Sequence, residues 1–208
     1  ATIGNTKLRV MYNFATSPTN PCQTGGGYGQ AEEYIINVSA IAPPTVTSFT
    51  PTSGCVGSTF NITGTNFTGA TAVTIGGTNA TSFVVNSSTS ITATVGSGTT
   101  GQVRVTNSAG TGTSLGIFTV VATPTITSQP VSTLICKPGN GLFSVTATGA
   151  TTYQWRRNGV NLTNTAPYSG VNTATLTLTD PALAIAGTFD VVVSNGVCST
   201  TSSTATLT

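Results

Sequence analysis

The feature that most constrains this chain is a period of two. Stretch after stretch alternates an apolar residue with a hydroxylated one, as in Thr175-Leu176-Thr177-Leu178-Thr179 and Ile91-Thr92-Ala93-Thr94-Val95. Successive side chains of a β-strand point to opposite faces, so such a stretch buries its aliphatic set and turns its hydroxyls to water. Threonine suits the wet face because its branched Cβ favours extended backbone. The runs are short and separated by Gly, Asn and Pro clusters, the punctuation of antiparallel strands joined by turns. Helical periodicity is almost absent, and the expected fold class is all-β.

Charge decides which functions such a chain can support. Of 208 residues, six are Lys or Arg, four are Asp or Glu and none is His, while Thr and Ser together make up about a third. That leaves little from which to build a general acid/base pair, a catalytic triad or a zinc site. The chain is therefore read as non-enzymatic, with no catalytic residue, no metal ligand and no cofactor. A net charge of +2 is no nucleic-acid footprint. The longest apolar runs, such as Ala182-Leu183-Ala184-Ile185-Ala186, fall far short of the roughly 20 residues that cross a bilayer, so no membrane insertion is expected.

The remaining polar signals reduce to bland readings. Glu32 and Glu33 are neighbours on an expected strand and point to opposite faces, so they cannot converge on one substrate atom or cation. Lys7 alternates with apolar residues and points outward, and Lys137 lies in a loop, which disfavours an isopeptide bond. Six Asn-x-Ser/Thr sequons (Asn37, Asn61, Asn66, Asn79, Asn86, Asn161) are about what so hydroxylated a sequence yields by chance. The Thr-x-Thr strands read as the wet side of a sheet rather than an ice- or polysaccharide-binding face.

Four cysteines, at 22, 55, 136 and 198, lack the spacing of metal knuckles. With so few Lys and Glu, they favour an oxidising, extracytoplasmic setting. The opening Ala1-Thr2-Ile3-Gly4-Asn5 has neither the basic start nor the apolar stretch of a signal peptide, and the last residues read as a strand that stops. The chain is read as a piece of a longer or processed polypeptide. Internally, Pro44-Thr45-Val46-Thr47-Ser48 recurs as Pro124-Thr125-Ile126-Thr127-Ser128, eighty residues on. Boundaries near 42 and 123 follow, dividing the chain into 1–41, 42–122 and 123–208. The Pro-bearing linkers are short enough to restrict bending.

Strands are expected over 46–49, 59–63, 72–75, 82–85, 91–95, 102–106 and 116–121 in the middle segment. Its turns read Ser48-Phe49-Thr50-Pro51-Thr52-Ser53-Gly54, Ile62-Thr63-Gly64-Thr65-Asn66-Phe67 and Ile75-Gly76-Gly77. This succession resembles the IPT/TIG immunoglobulin-like domain across 42–122. Some members of that family bind DNA through basic loops, but here one arginine, Arg104, stands mid-strand.

In the last segment, Tyr153-Gln154-Trp155 followed by Asn158-Gly159 resembles the third strand of an immunoglobulin-like domain, with Trp155 as the core pin. The positions that carry cysteines in antibody-type members read Val145 and Val191, and Phe189 replaces the corner tyrosine. The resemblance implies that the strand before the second one runs beside the last. On that basis a structural disulfide is expected between Cys136 and Cys198 across a 62-residue loop. Cys22 and Cys55 stay open: they bridge the first two segments, or Cys22 pairs upstream while Cys55 is a buried thiol.

In the first segment, Lys7-Leu8-Arg9-Val10-Met11-Tyr12 and Glu33-Tyr34-Ile35-Ile36-Asn37-Val38 read as paired strands. The run Tyr28-Gly29-Gln30-Ala31-Glu32-Glu33-Tyr34 resembles the end of a GEVED domain, with Gln30 where that signature has its first glutamate. The three resemblances together imply tandem immunoglobulin-like β-sandwiches preceded by a partial β segment. They are similar to large secreted surface proteins of Bacteroidetes-type bacteria. The implied role is a non-enzymatic stalk or adhesin segment at the cell surface, a rigid spacer that meets neighbouring domains of its own polypeptide. Alternatives are an accessory glycan-binding module of a secreted enzyme, with Tyr168 as an aromatic contact, or a subunit of a self-assembling filament. An extracellular protein or glycan ligand would be met through loops at module ends.

Overall fold

The structure is a computed structural model and describes residues 4–13, 29–38, 40–136, 138–181 and 185–208. Two compact units divide it, residues 1–42 and 43–208. In the first, β1 (Gly4–Asn13) and β2 (Gly29–Val38) form an antiparallel ribbon. Glu32 and Glu33 lie on β2 opposite Val10 and Arg9.

The second unit holds two hydrophobic cores. The first is built by β3 (Thr45–Thr50), β4 (Ser53–Cys55), β5 (Thr59–Thr65), β6 (Ala72–Ile75), β7 (Thr78–Asn79), β8 (Ser82–Ser87), β9 (Ser90–Thr94), β10 (Gly101–Asn107) and β11 (Gly110–Val121). One sheet runs β3-β5-β9-β8 and the other β4-β11-β10-β6-β7. Their inner faces carry the aliphatic set that the alternation foretold: Phe60, Ile62 and Ile91 from one sheet meet Val73, Val103, Val105 and Phe118 from the other. Phe118 bridges the layers, its ring 4.6 Å from Phe60 and 5.9 Å from Phe49. Each such buried aromatic contributes about 1.5–3 kcal/mol in area removed from water.

The Ile62–Phe67 turn shows why its glycine is needed. A Cβ on Gly64 would lie 1.8 Å from the Thr45 carbonyl oxygen and 2.6 Å from the Phe67 ring. The backbone therefore crosses β3 in contact, Asn66 takes a left-handed φ of 58°, and Phe67 turns back into the core, fully buried.

The second core is built by β12 (Thr125–Ser128), β13 (Asn140–Ser144), β14 (Thr146–Thr148), β15 (Thr152–Arg157), β16 (Val160–Asn161), β17 (Tyr168–Ser169), β18 (Thr175–Thr179), β19 (Gly187–Ser194), β20 (Ser199–Thr201) and β21 (Ala205–Leu207). One layer runs β13-β18-β17, with β12 paired to β14; the other runs β16-β15-β19-β20, with β21 also on β19. Trp155 sits fully buried opposite Val191, with Phe143 6.2 Å away, and its indole N–H donates to the Thr173 carbonyl at 2.9 Å. Val145 and Val191 are both buried in this core.

The two modules share two further details. In each, the segment that precedes the second long strand runs parallel to the last strand: Ser53–Cys55 beside Thr119 to Val121, and Thr133 beside Leu207. In each, the pairing of the last strand with its neighbour is interrupted at a buried serine. Val103 donates its N–H to Ser114 Oγ at 2.9 Å, and Val191 donates to Ser202 Oγ at 3.0 Å, eleven residues apart in both cases. Among the described residues, the architecture is all-β: tandem immunoglobulin-like sandwiches.

Candidate functional site

The most constructed place outside the cores is where the first sandwich hands over to the second. β4 ends at Cys55, level with Val121, the last residue of β11. Gly54 makes this approach feasible, since a Cβ there would meet Ser58 Oγ at 2.5 Å and the Phe118 ring at 3.1 Å. The chain then reverses through Cys55-Val56-Gly57-Ser58, closed by the Ser58 N–H on the Cys55 carbonyl at 3.0 Å. Gly57 holds the φ of +87° that the third position of such a turn requires.

From the other side comes the turn between β19 and β20. Asn195 organises it: its Oδ1 accepts the N–H groups of Val197 at 3.2 Å and Cys198 at 2.8 Å, while Gly196 adopts a φ of +89°. The Nδ2 of the same asparagine donates to the Ala122 carbonyl at 2.8 Å. Thr200 Oγ1 donates to the Pro124 carbonyl, so both ends of the link between β11 and β12 are tied to the second sandwich.

A disulfide closes the junction. Cys55 and Cys198 are bonded, with Cα atoms 5.7 Å apart and a sequence separation of 143. Cys198 is buried, and the apolar side chains Val56 and Val197 beside the bond remain about half exposed.

This corrects the expected pairing. Cys136 does not bond Cys198; it is an exposed free thiol. The adjacency was read rightly but its direction was not. Ile135 donates its N–H to the Thr208 carbonyl at 3.0 Å, so Cys136 stands beside the end of the last strand. Cys198 stands before that strand begins. Ten residues of strand separate the two places by roughly 30 Å at about 3.3 Å per residue, whereas a disulfide needs Cα atoms about 4.4–6.8 Å apart. Both readings left open for Cys55, a bridge to Cys22 and a buried thiol, are also overturned, because Cys55 is bonded to Cys198; Cys22 lies outside the described residues.

Residues 44–122 match the IPT/TIG domain family. The IPT/TIG module is thus the partner that supplies Cys55. No curated protein sequence matches the chain. Similar solved structures include Drosophila OTK extracellular domains 3–5, at 18% identity over 86% of this chain and 68% of that one, with a TM-score of 0.45. The tandem Ig repeats of Dlar are 16% identical over 80% of this chain and 97% of theirs, with a TM-score of 0.38. Titin M4 is 27% identical over 40% of this chain and 92% of its own, with a TM-score of 0.36.

Arg104 of the IPT/TIG module is exposed mid-strand on β10. In the second module, Arg156 forms a two-pronged pair across the sheet with Asp190, Nε to Oδ1 at 2.6 Å and Nη2 to Oδ2 at 3.0 Å. That bond raises the guanidinium pKa, holding Arg156 charged. Beyond it, an open cleft of about 330 Å³ is lined by Arg157, Asn158, Val160, Asn161, Leu162 and Tyr168. Among the described residues, no three His, Cys, Asp or Glu side chains come together. The sequence reading missed Asn195, although Asn195-Gly196 is the kind of pair in which an asparagine side chain caps its own turn.

Proposed function

We propose that the chain is a non-enzymatic spacer segment of an extracellular, multi-domain surface protein, whose work is to hold neighbouring parts at a fixed distance and angle. The observation that carries this reading is the disulfide between Cys55 and Cys198, with the Asn195 and Thr200 bonds to the link beside it. Each sandwich already has its own core, so this bond adds constraint between modules rather than within one. Immunoglobulin-like and IPT/TIG modules with a disulfide are typical of extracellular proteins. The resemblance of the first segment to a GEVED domain supports a bacterial cell surface of the Bacteroidetes type. Partners under this reading are the adjoining domains, with an adhesive protein or glycan contact through loops at module ends.

Small-angle scattering tests the reading. The oxidised chain is expected to give an elongated particle of sharply defined length, and Cys198→Ser to broaden that distribution. A compact particle, or one indifferent to the bond, overturns it.

A second reading, an accessory glycan-binding module, is favoured by the cleft lined by Tyr168, whose partly buried ring borders one opening with Asn158 and Asn161. Binding on a glycan array that Tyr168→Ala abolishes is the result it requires. Self-assembly into a filament is the third, and would show as concentration-dependent growth.

A further inference from the structure

β15 ends in two adjacent arginines, and the alternation of a strand sends them to opposite faces. Arg156 lies on the outer face, where both carboxylate oxygens of Asp190 take its two prongs. Arg157 follows the buried Trp155 by two positions and shares its inward face, where the core ends and the Asn158-Gly159 turn begins. Its Nη2 donates to the Ala186 carbonyl at 3.0 Å, which ties the guanidinium to the residue just ahead of β19. From there it lines the open cleft.

The cleft opens between the two layers of the module: Val160 and Asn161 come from β16 in one sheet, and Tyr168 from β17 in the other. Leu162 and Tyr168 pack against the core and give it an apolar wall. Its lining carries one charge, that of Arg157, and no carboxylate. Among the described residues, neither the Tyr168 hydroxyl nor the Asn161 carboxamide has a hydrogen-bond partner, so both are available to a ligand. Each of these groups donates and accepts, which matches the hydroxyls of a sugar, and the apolar wall matches the face of its ring. A volume of about 330 Å³ suits a short saccharide.

We propose that this cleft binds an acidic saccharide, the Arg157 guanidinium pairing with the carboxylate of a uronic acid while Tyr168 and Asn161 receive its ring and hydroxyls. The inference rests on the glycan-binding reading and adds the class of sugar. The sign of the charge carries it: a lining whose one charge is positive draws an anion, and a neutral sugar forgoes that attraction. A planar guanidinium matches the two oxygens of a carboxylate in the way Arg156 already shows with Asp190. Arg157 is also placed in advance by its bond to Ala186, so little side-chain freedom remains to be lost on binding.

The test is a glycan array probed with the 208-residue chain, in which each uronate-bearing oligosaccharide is paired with its carboxyl-reduced counterpart. The acidic member is expected to bind about tenfold more tightly, the worth of a charge-assisted bond, and the difference to shrink as salt is raised. This comparison uses the parent chain alone, so it stands whether or not a variant folds. Arg157→Gln is expected to make the members of a pair equal, and Arg157→Lys to keep part of the difference. Arg104→Gln, on the IPT/TIG module, should leave it untouched. Trp155 fluorescence checks that each variant is folded. Equal binding of both members, abolished by Tyr168→Ala, overturns the inference and leaves the glycan reading in place. Binding confined to sulfated sugars, or a preference that survives Arg157→Gln, overturns the inference too. An array without signal overturns both.

Discussion

A methyl group on Gly64 would lie 1.8 Å from the carbonyl oxygen of Thr45, closer than any real contact. Gly64→Ala is therefore expected to lower the stability of the IPT/TIG module by about 1–3 kcal/mol, the usual cost of forcing backbone shifts on a filled site. Gly116→Ala is the control. Its nearest neighbour would be the Phe49 ring at 3.4 Å, an ordinary contact, and the change should stay within about 0.5 kcal/mol. Urea midpoints of the two variants against the parent check both statements.

The paired serines make a matched prediction in two modules. Ser114 Oγ accepts from Val103 and donates to the Gly116 carbonyl at 2.7 Å; Ser202 Oγ accepts from Val191 and donates to the Ser203 carbonyl at 2.9 Å. Removing either hydroxyl strands a buried N–H, at about 1–3 kcal/mol. Ser114→Ala and Ser202→Ala are expected to cost similar amounts, and amide exchange should quicken at Val103 in one and Val191 in the other.

Trp155 fills the centre of the second core. Trp155→Ala should cost about 3–5 kcal/mol through the cavity it leaves. Trp155→Phe should cost less, since it keeps a ring and loses chiefly the bond to the Thr173 carbonyl. Calorimetry is expected to show the second module melting early while the IPT/TIG module, whose core shares no residue with it, keeps its own transition.

Opening the junction should act on linkage more than on folding. Cys55→Ser or Cys198→Ser releases a loop spanning 143 residues, worth on the order of 5 kcal/mol of chain entropy in the unfolded state. The β-sheet circular dichroism should persist, the denaturation midpoint should fall, and protease should cut sooner near Ala122. Equal cleavage rates in parent and variant would show that the Asn195 and Thr200 bonds hold the link alone.

Most strands were legible because their inward residues are apolar. β5 alternates between exposed and buried along its whole length, with Phe60 and Ile62 inward, and was expected over 59–63. β11 was expected from 116 but begins at Gly110, because its first inward positions are Gly112 and Ser114, which carry no hydrophobic signal. The three-residue β4 went unseen for a similar reason: its one inward residue is Gly54. That strand holds the key to the cysteines. Pairing depends on the direction in which β4 and the segment at Thr133 run beside the last strands, and a short parallel ladder leaves no periodic trace in sequence. Trp155, by contrast, was readable through the resemblance of Tyr153-Gln154-Trp155 and Asn158-Gly159 to the third strand of an immunoglobulin-like domain.

The parallel ladders have a mechanical meaning. When strands pair in the same direction, the leading end of one and the trailing end of the other lie at opposite ends of the ladder. Tension that enters before β4 and leaves after β11 is thus directed along the hydrogen-bonded pair, and the bonds share the load at once instead of unzipping in turn. The segment at Thr133 and β21 stand in the same relation, so a pull applied across that pair is directed along it in the same way.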